Sequence, residues 1–72
     1  MEYDYTQTVH RPQRITKIPV PRTDHVIKVS SVHYDMGGAR LDETCVFFPN
    51  GENEVRGSYD DHDKIVAELQ HA

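Results

Sequence analysis

Five histidines (His10, His25, His33, His62 and His71) and one cysteine, Cys45, are the side chains best suited to metal binding or nucleophilic attack. Structural zinc sites use closely spaced ligand pairs, because one short turn must bring two ligands to one ion. No two of these residues stand at Cys-x₂₋₄-Cys or His-x₃₋₅-His spacing. Cys45 sits between Thr44 and Val46 in a strand-like run, where cysteine usually serves as a small inert hydrophobe, and no base stands near it in sequence. Asp60-Asp61-His62-Asp63 gathers carboxylates but lacks the Asp-x-Asp-x-Asp-Gly spacing and closing Glu of a calcium loop. Acids at that point suit the positive end of a helix instead. Gly37-Gly38 is followed by no Lys-Ser/Thr, so it is no phosphate loop. The histidines read as scattered surface residues. No cofactor, no metal site and no enzymatic activity are expected.

Charge is divided by position. Residues 1–28 carry Arg11, Arg14, Lys17, Arg22 and Lys28 against Glu2, Asp4 and Asp24, a net of +2; residues 29–72 carry a net of −6, and the chain as a whole −4. Between Arg11 and Arg22 there is no acid, but there are three prolines. This reads as a basic, proline-stiffened arm ahead of an acidic body. The acidic total disfavours indiscriminate binding to duplex DNA, which needs several Lys/Arg on one face.

With 72 residues, 36% of them hydrophobic and no Trp, the chain makes one domain with a thin core. A single cysteine leaves no internal disulfide, and small secreted domains usually rely on several. The first residues, Met1-Glu2-Tyr3-Asp4-Tyr5, are polar and unlike a secretory signal. No apolar run approaches the ~20 residues of a membrane span. The expected location is the cytoplasm, that of a host if the chain is phage-encoded, with no membrane partner.

Residues 1–14 are polar and aperiodic, with Tyr3 and Tyr5 on one side of an extended chain. In Ile15-Thr16-Lys17-Ile18-Pro19-Val20-Pro21-Arg22 each proline pushes its predecessor into extended backbone. That segment can pair through one edge only, because Pro19 and Pro21 lack N–H donors. Residues 25–34 are rich in β-branched side chains and read as a strand. The apolar parity changes from Ile27/Val29 to Val32/Tyr34, which predicts a bulge or bend at Ser30-Ser31. Gly37-Gly38 makes a turn, and Leu41 to Phe48 is the next strand.

Asn50-Gly51 is a strong hairpin signal. A two-residue turn there pairs Pro49 with Glu52, Phe48 with Asn53, Val46 with Val55 and Cys45 with Arg56. Val46, Phe48 and Val55 then form the expected core face. Phe47 falls on the opposite face, where the arm's aliphatics could cover it. Residues 60–71 read as a helix with Asp60 or Asp61 as N-cap and an apolar stripe of Ile65, Val66 and Leu69. The predicted fold is α+β. A three-stranded antiparallel meander with one C-terminal helix (25–72) follows an extended or disordered N-terminal arm (1–24).

The order strand, Gly turn, strand, Asn-Gly hairpin, strand, helix, with Ser31, Tyr34-Asp35, Leu41, Phe48 and Asn50-Gly51, resembles the small KTSC-type module of bacteria and phages. Val55 stands near where that module has an aromatic residue. The resemblance implies a layout and no functional residue. In format (small, acidic, without enzyme motifs, with an arm) the chain is similar to small phage-encoded regulators of host machinery, such as inhibitors of bacterial RNA polymerase. That similarity implies a non-enzymatic protein-binding regulator acting on another protein or a host complex, with transcription machinery the first partner expected. The expected partner-binding residues are Tyr3, Tyr5, Arg14, Ile15, Lys17, Ile18, Val20 and Arg22. The alternative is a small nucleic-acid-binding module using the arm with Lys28 and Arg56, whose mark is steep salt dependence.

Overall fold

The computed structural model describes residues 9–71 of the chain. Its strands are β1 (Val9–His10), β2 (Arg14–Pro19), β3 (Val26–Met36), β4 (Ala39–Phe47) and β5 (Asn53–Gly57). A 3-10 turn, Tyr59–Asp61, leads into helix α1 (His62–Gln70). All pairings are antiparallel. β1 and β2 both pair with β3, β3 with β4 and β4 with β5, so among the described residues the five strands make a sheet four positions wide. The α+β class and the C-terminal helix agree with the sequence reading; the three-stranded sheet does not.

The extra strand comes from the segment read as an arm. Residues 14–19 pair with β3 from Arg14↔Ser31 to Pro19↔Val26, and Ile18 is buried in the core. A chain with so few aliphatics cannot leave Ile18 outside. The prolines fit this edge position, where a missing N–H donor faces away from the ladder. The return to β3 is closed by Val20 N–H to His25 C=O (3.0 Å) and by Thr23 Oγ1 to Val20 C=O (2.9 Å). Arg22 takes the left-handed conformation there (φ 63°).

β3 runs unbroken through Ser30-Ser31, without the expected bulge. The parity change has another cause. Ile27, Val29 and Ser31 continue along one face, and Ser31 is fully buried as a hydrogen-bonded polar residue. Val32 and Tyr34 simply belong to the other face. The register shift lies instead between Thr44 and Cys45, opposite β5.

The second hairpin also differs from expectation. Phe47 pairs with Asn53, and Cys45 with Val55 rather than Arg56. Gly51 N–H donates to Phe48 C=O (3.1 Å) and Phe48 N–H to Glu52 C=O (2.8 Å), leaving Pro49, Asn50 and Gly51 as a three-residue loop. Pro49 decides this. Its fixed φ suits the second position of a turn and its missing N–H spoils a ladder position. Gly51, at φ 91°, then supplies the left-handed residue that such loops need. A slip of one residue moves a side chain to the opposite face. Val55 is accordingly 57% exposed, whereas Val46 is fully buried.

The core sits between α1 and one face of the sheet: Ile18, Val29, Val46 and Ile65, with Ile27, Phe48, Val66 and Leu69 against them. The helical stripe is the one read from sequence. Asp61 caps the turn by reaching back, its Oδ2 accepting from Ser58 N–H (2.9 Å) and Ser58 Oγ (3.1 Å).

Candidate functional site

Two places in this fold gather chemistry. The first is a buried polar chain beneath α1. Helix formation from residue 62 places His62 at the first turn, facing the sheet and 1% exposed. Its Nδ1 is 2.6 Å from Ser31 Oγ on β3 and its Nε2 is 2.8 Å from Thr16 Oγ1 on β2. Ser31 Oγ also meets Thr44 Oγ1 on β4, and Thr44 donates to the Ser58 carbonyl (2.7 Å).

These bonds fix the direction of every proton. A carbonyl only accepts, so the Thr44 hydroxyl proton is committed to Ser58. Ser31 therefore donates to Thr44 and accepts from His62 Nδ1–H. In the neutral ring Nε2 then accepts from Thr16. Burial holds the imidazole below its ordinary value of 6.5, with Arg14 adding to the effect and Asp63 opposing it. A serine nucleophile needs its proton directed toward the imidazole. Here it is directed away, and Ser31 is fully buried. The chain joins β2, β3, β4 and α1, and its geometry is that of a structural network.

Around it the helix is clipped to the edge of the sheet. Arg14 reaches Asp63 (2.7 Å) and Arg11 reaches Asp60 (2.6 Å). The hydrogen bond from Arg14 keeps the Asp63 carboxyl below the usual carboxylate range and raises the guanidinium in turn. Tyr59, 7% exposed, donates its hydroxyl to Pro12 C=O (2.6 Å), and Arg11 lies over its ring at 5.3 Å. Asp42 Oδ1 accepts from Tyr59 N–H (2.7 Å), which lowers its pKa. His33 Nδ1, 3.6 Å from the same oxygen, is too distant for a hydrogen bond and has no other partner among the described residues. The acids at 60, 61 and 63 are thus engaged in holding the helix start.

The second place is the face of the sheet away from α1. Alternation and register put Ile15, Lys17, Val26, Lys28, Ser30, Val32, Tyr34, Met36, Leu41, Glu43, Cys45, Phe47 and Val55 there. The large hydrophobic side chains recorded as exposed are Ile15 (52%), Val26 (43%), Met36 (40%), Phe47 (36%) and Val55 (57%). All of them belong to this one face. Lys17 and Lys28 are directly opposite each other across β2 and β3, and Lys28 Nζ lies 4.6 Å from the centre of the Phe47 ring. Phe47 is thus on the face expected from sequence, with a lysine over it rather than the arm's aliphatics.

The expected contact residues are distributed over both faces. Ile15 and Lys17 stand on the helix-free face, Arg14 is paired with Asp63, and Ile18 is in the core. Val20 and Arg22 lie in the β2–β3 connection, and Tyr3 and Tyr5 lie outside the described residues. Lys28 is on the helix-free face, while Arg56 pairs with Glu54 (2.6 Å) and lies over Phe48. Sequence reading missed the network of Thr16, Ser31, Thr44 and His62. Its one visible signal was Ser31 continuing the parity of Ile27 and Val29.

Among the described residues no group of three His, Cys, Asp or Glu side chains is placed to hold a metal ion. No helix among them is long and apolar enough to cross a membrane. Comparison with protein-family models, curated proteins and solved structures gave no match.

Proposed function

We propose that this chain is a non-enzymatic protein-binding regulator whose working surface is the helix-free face of its sheet. The carrying observation is the concentration of exposed large apolar side chains there: Ile15, Val26, Met36, Phe47 and Val55. Single exposed hydrophobics need no explanation, but five large ones gathered on one face of a sheet point to an interaction surface. An antiparallel sheet with one solvated face normally makes that face polar. A host complex such as the transcription machinery is the first target to test, in keeping with the small size and net charge of −4.

Ile15→Glu and Val55→Glu are the variants of choice. Both positions are already more than half exposed, so the fold is retained while capture of partner proteins from a bacterial lysate is lost. Full capture by both folded variants would remove the reading.

A second reading has its own observation. Lys17 and Lys28 beside an exposed Phe47 form a basic, aromatic corner of the kind on which single-stranded nucleic acid stacks. The net charge of −4 opposes it. Salt-dependent retention of single strands, lost in Phe47→Ala, would support it; no retention at low salt would end it.

A further inference from the structure

We infer that the polypeptide covering the helix-free face is a second copy of this chain, related by a two-fold axis running across the strands along the row Ile15–Ser30–Cys45–Val55. This rests on the proposal that the face binds protein, and it names the occupant.

The face is built of rows set by register. Lys17, Lys28, Phe47 and Asn53 form one row; Ile15, Ser30, Cys45 and Val55 the next; Val32 and Glu43 the third. The first row is cationic, the middle row uncharged and the third anionic. Directly opposed like charges destabilise a sheet, and neither Lys17 nor Lys28 has an ion-pair partner among the described residues. An occupant that brings a carboxylate to this row therefore gains twice, by burying apolar surface and by relieving the lysine pair.

A second copy brings that carboxylate in one orientation. For two sheets packed face to face, the two-fold axis lies between them. An axis along the strands keeps each row over its counterpart but reverses the strand order, so Lys17 and Lys28 face Asn53 and Phe47 and meet no carboxylate. An axis across the strands, through the middle row, exchanges the first and third rows and keeps each strand over its own counterpart. Lys28 Nζ lies over the Phe47 ring, in the column of β4. The side chain facing it from the second copy is then Glu43, also on β4. The same contact is made twice. Apolar Ile15, Cys45 and Val55 meet their own counterparts at the centre, where a self-complementary interface needs uncharged groups.

The projected face falls below the area of a standard stable complex, which fits a weak dimer formed between micromolar and millimolar concentration. Three strand positions up to about 36 Å long, with the shorter β5 added, give about 600 Å² of projected face before side-chain relief, at about 4.8 Å per strand and about 3.3 Å per residue. Stable complexes bury about 800 Å² per partner.

Sedimentation equilibrium of the full chain from micromolar to millimolar concentration tests this, with circular dichroism to verify each variant's fold. The expected result is a concentration-dependent dimer. Lys28→Glu and Glu43→Lys each weaken it by about tenfold, since like charges then face each other at two places, and the double charge swap restores it. The two residues are two rows apart within one chain, so restoration requires the contact between copies. Val55→Cys in a Cys45→Ser background is joined into a covalent dimer by a bis-maleimide spanning about 10 Å, the spacing of packed sheets. A chain that stays monomeric, or a dimer indifferent to both single reversals, overturns the inference. A monomer whose partner capture is lost on Ile15→Glu overturns only the second copy as occupant. A monomer whose capture is indifferent to that change overturns the protein-binding reading as well.

Discussion

His62 Nδ1 and Ser31 Oγ lie 2.6 Å apart, 31 residues from each other in the chain, and both side chains are buried. This bond ties the start of the helix to the centre of the sheet. Thr16 and Thr44 extend it to the strands on either side.

Replacing His62 by Ala removes the ring and leaves Ser31 and Thr16 hydroxyls without their partner. A loss of about 2–4 kcal/mol is expected from cavity and unsatisfied groups together. Urea unfolding of wild type and variant measures it. A loss under about 0.5 kcal/mol, the range of ordinary surface substitutions, would contradict the buried network.

Stability should fall in two stages on acidification. His62 has its pKa lowered by burial, so the unfolded chain binds its proton first. Its contribution is complete above the ordinary value of 6.5 and declines as pH falls from there toward the folded-state pKa. Asp42 and Asp63 are also lowered, by the Tyr59 N–H and by Arg14. Their contributions hold above the ordinary 3.8 and decline below it. Thermal melts against pH should show both stages in wild type. The upper stage should vanish in His62→Ala while the lower remains.

The hairpin register makes opposite forecasts for two valines. Val46 is fully buried and Val55 is 57% exposed. Val46→Ala should cost about 2–3 kcal/mol, and Val55→Ala no more than about 0.5 kcal/mol. Equal, large losses at both positions would restore the two-residue Asn-Gly turn.

Gly57 has no room for a methyl group. A Cβ there would stand 2.5 Å from Asp61 Oδ2, the atom that accepts from Ser58 N–H and Oγ. Gly57→Ala should therefore displace the Asp61 carboxylate and cost about 1 kcal/mol, the scale of a lost helix cap. In the Asp61→Ala background the two changes should be less than additive, because the cap is already gone.

Tyr59→Phe removes the hydroxyl that holds Pro12 C=O. About 1 kcal/mol should be lost, the usual worth of one such bond. Amide exchange at the β1–β2 edge should quicken more than exchange at β4, since the bond anchors that edge.

Much of this protein could be read along the chain. The division of charge, the β-branched runs, Gly37-Gly38 and the Ile65/Val66/Leu69 stripe are local signals, and local chemistry decides turns, strands and helix starts. Pro49 is a local signal too: its fixed φ and missing N–H favour the three-residue loop that puts Val55 on the outer face. Tertiary structure alone decided two things. It drew Arg14–Pro19 into the sheet, because a thin core needed Ile18. It buried His62, which looked like a surface histidine, because a polar side chain can enter a core only where distant partners wait for it. Those partners, Thr16 and Ser31, are brought to it by pairing and packing, and no local pattern around residue 62 reports them.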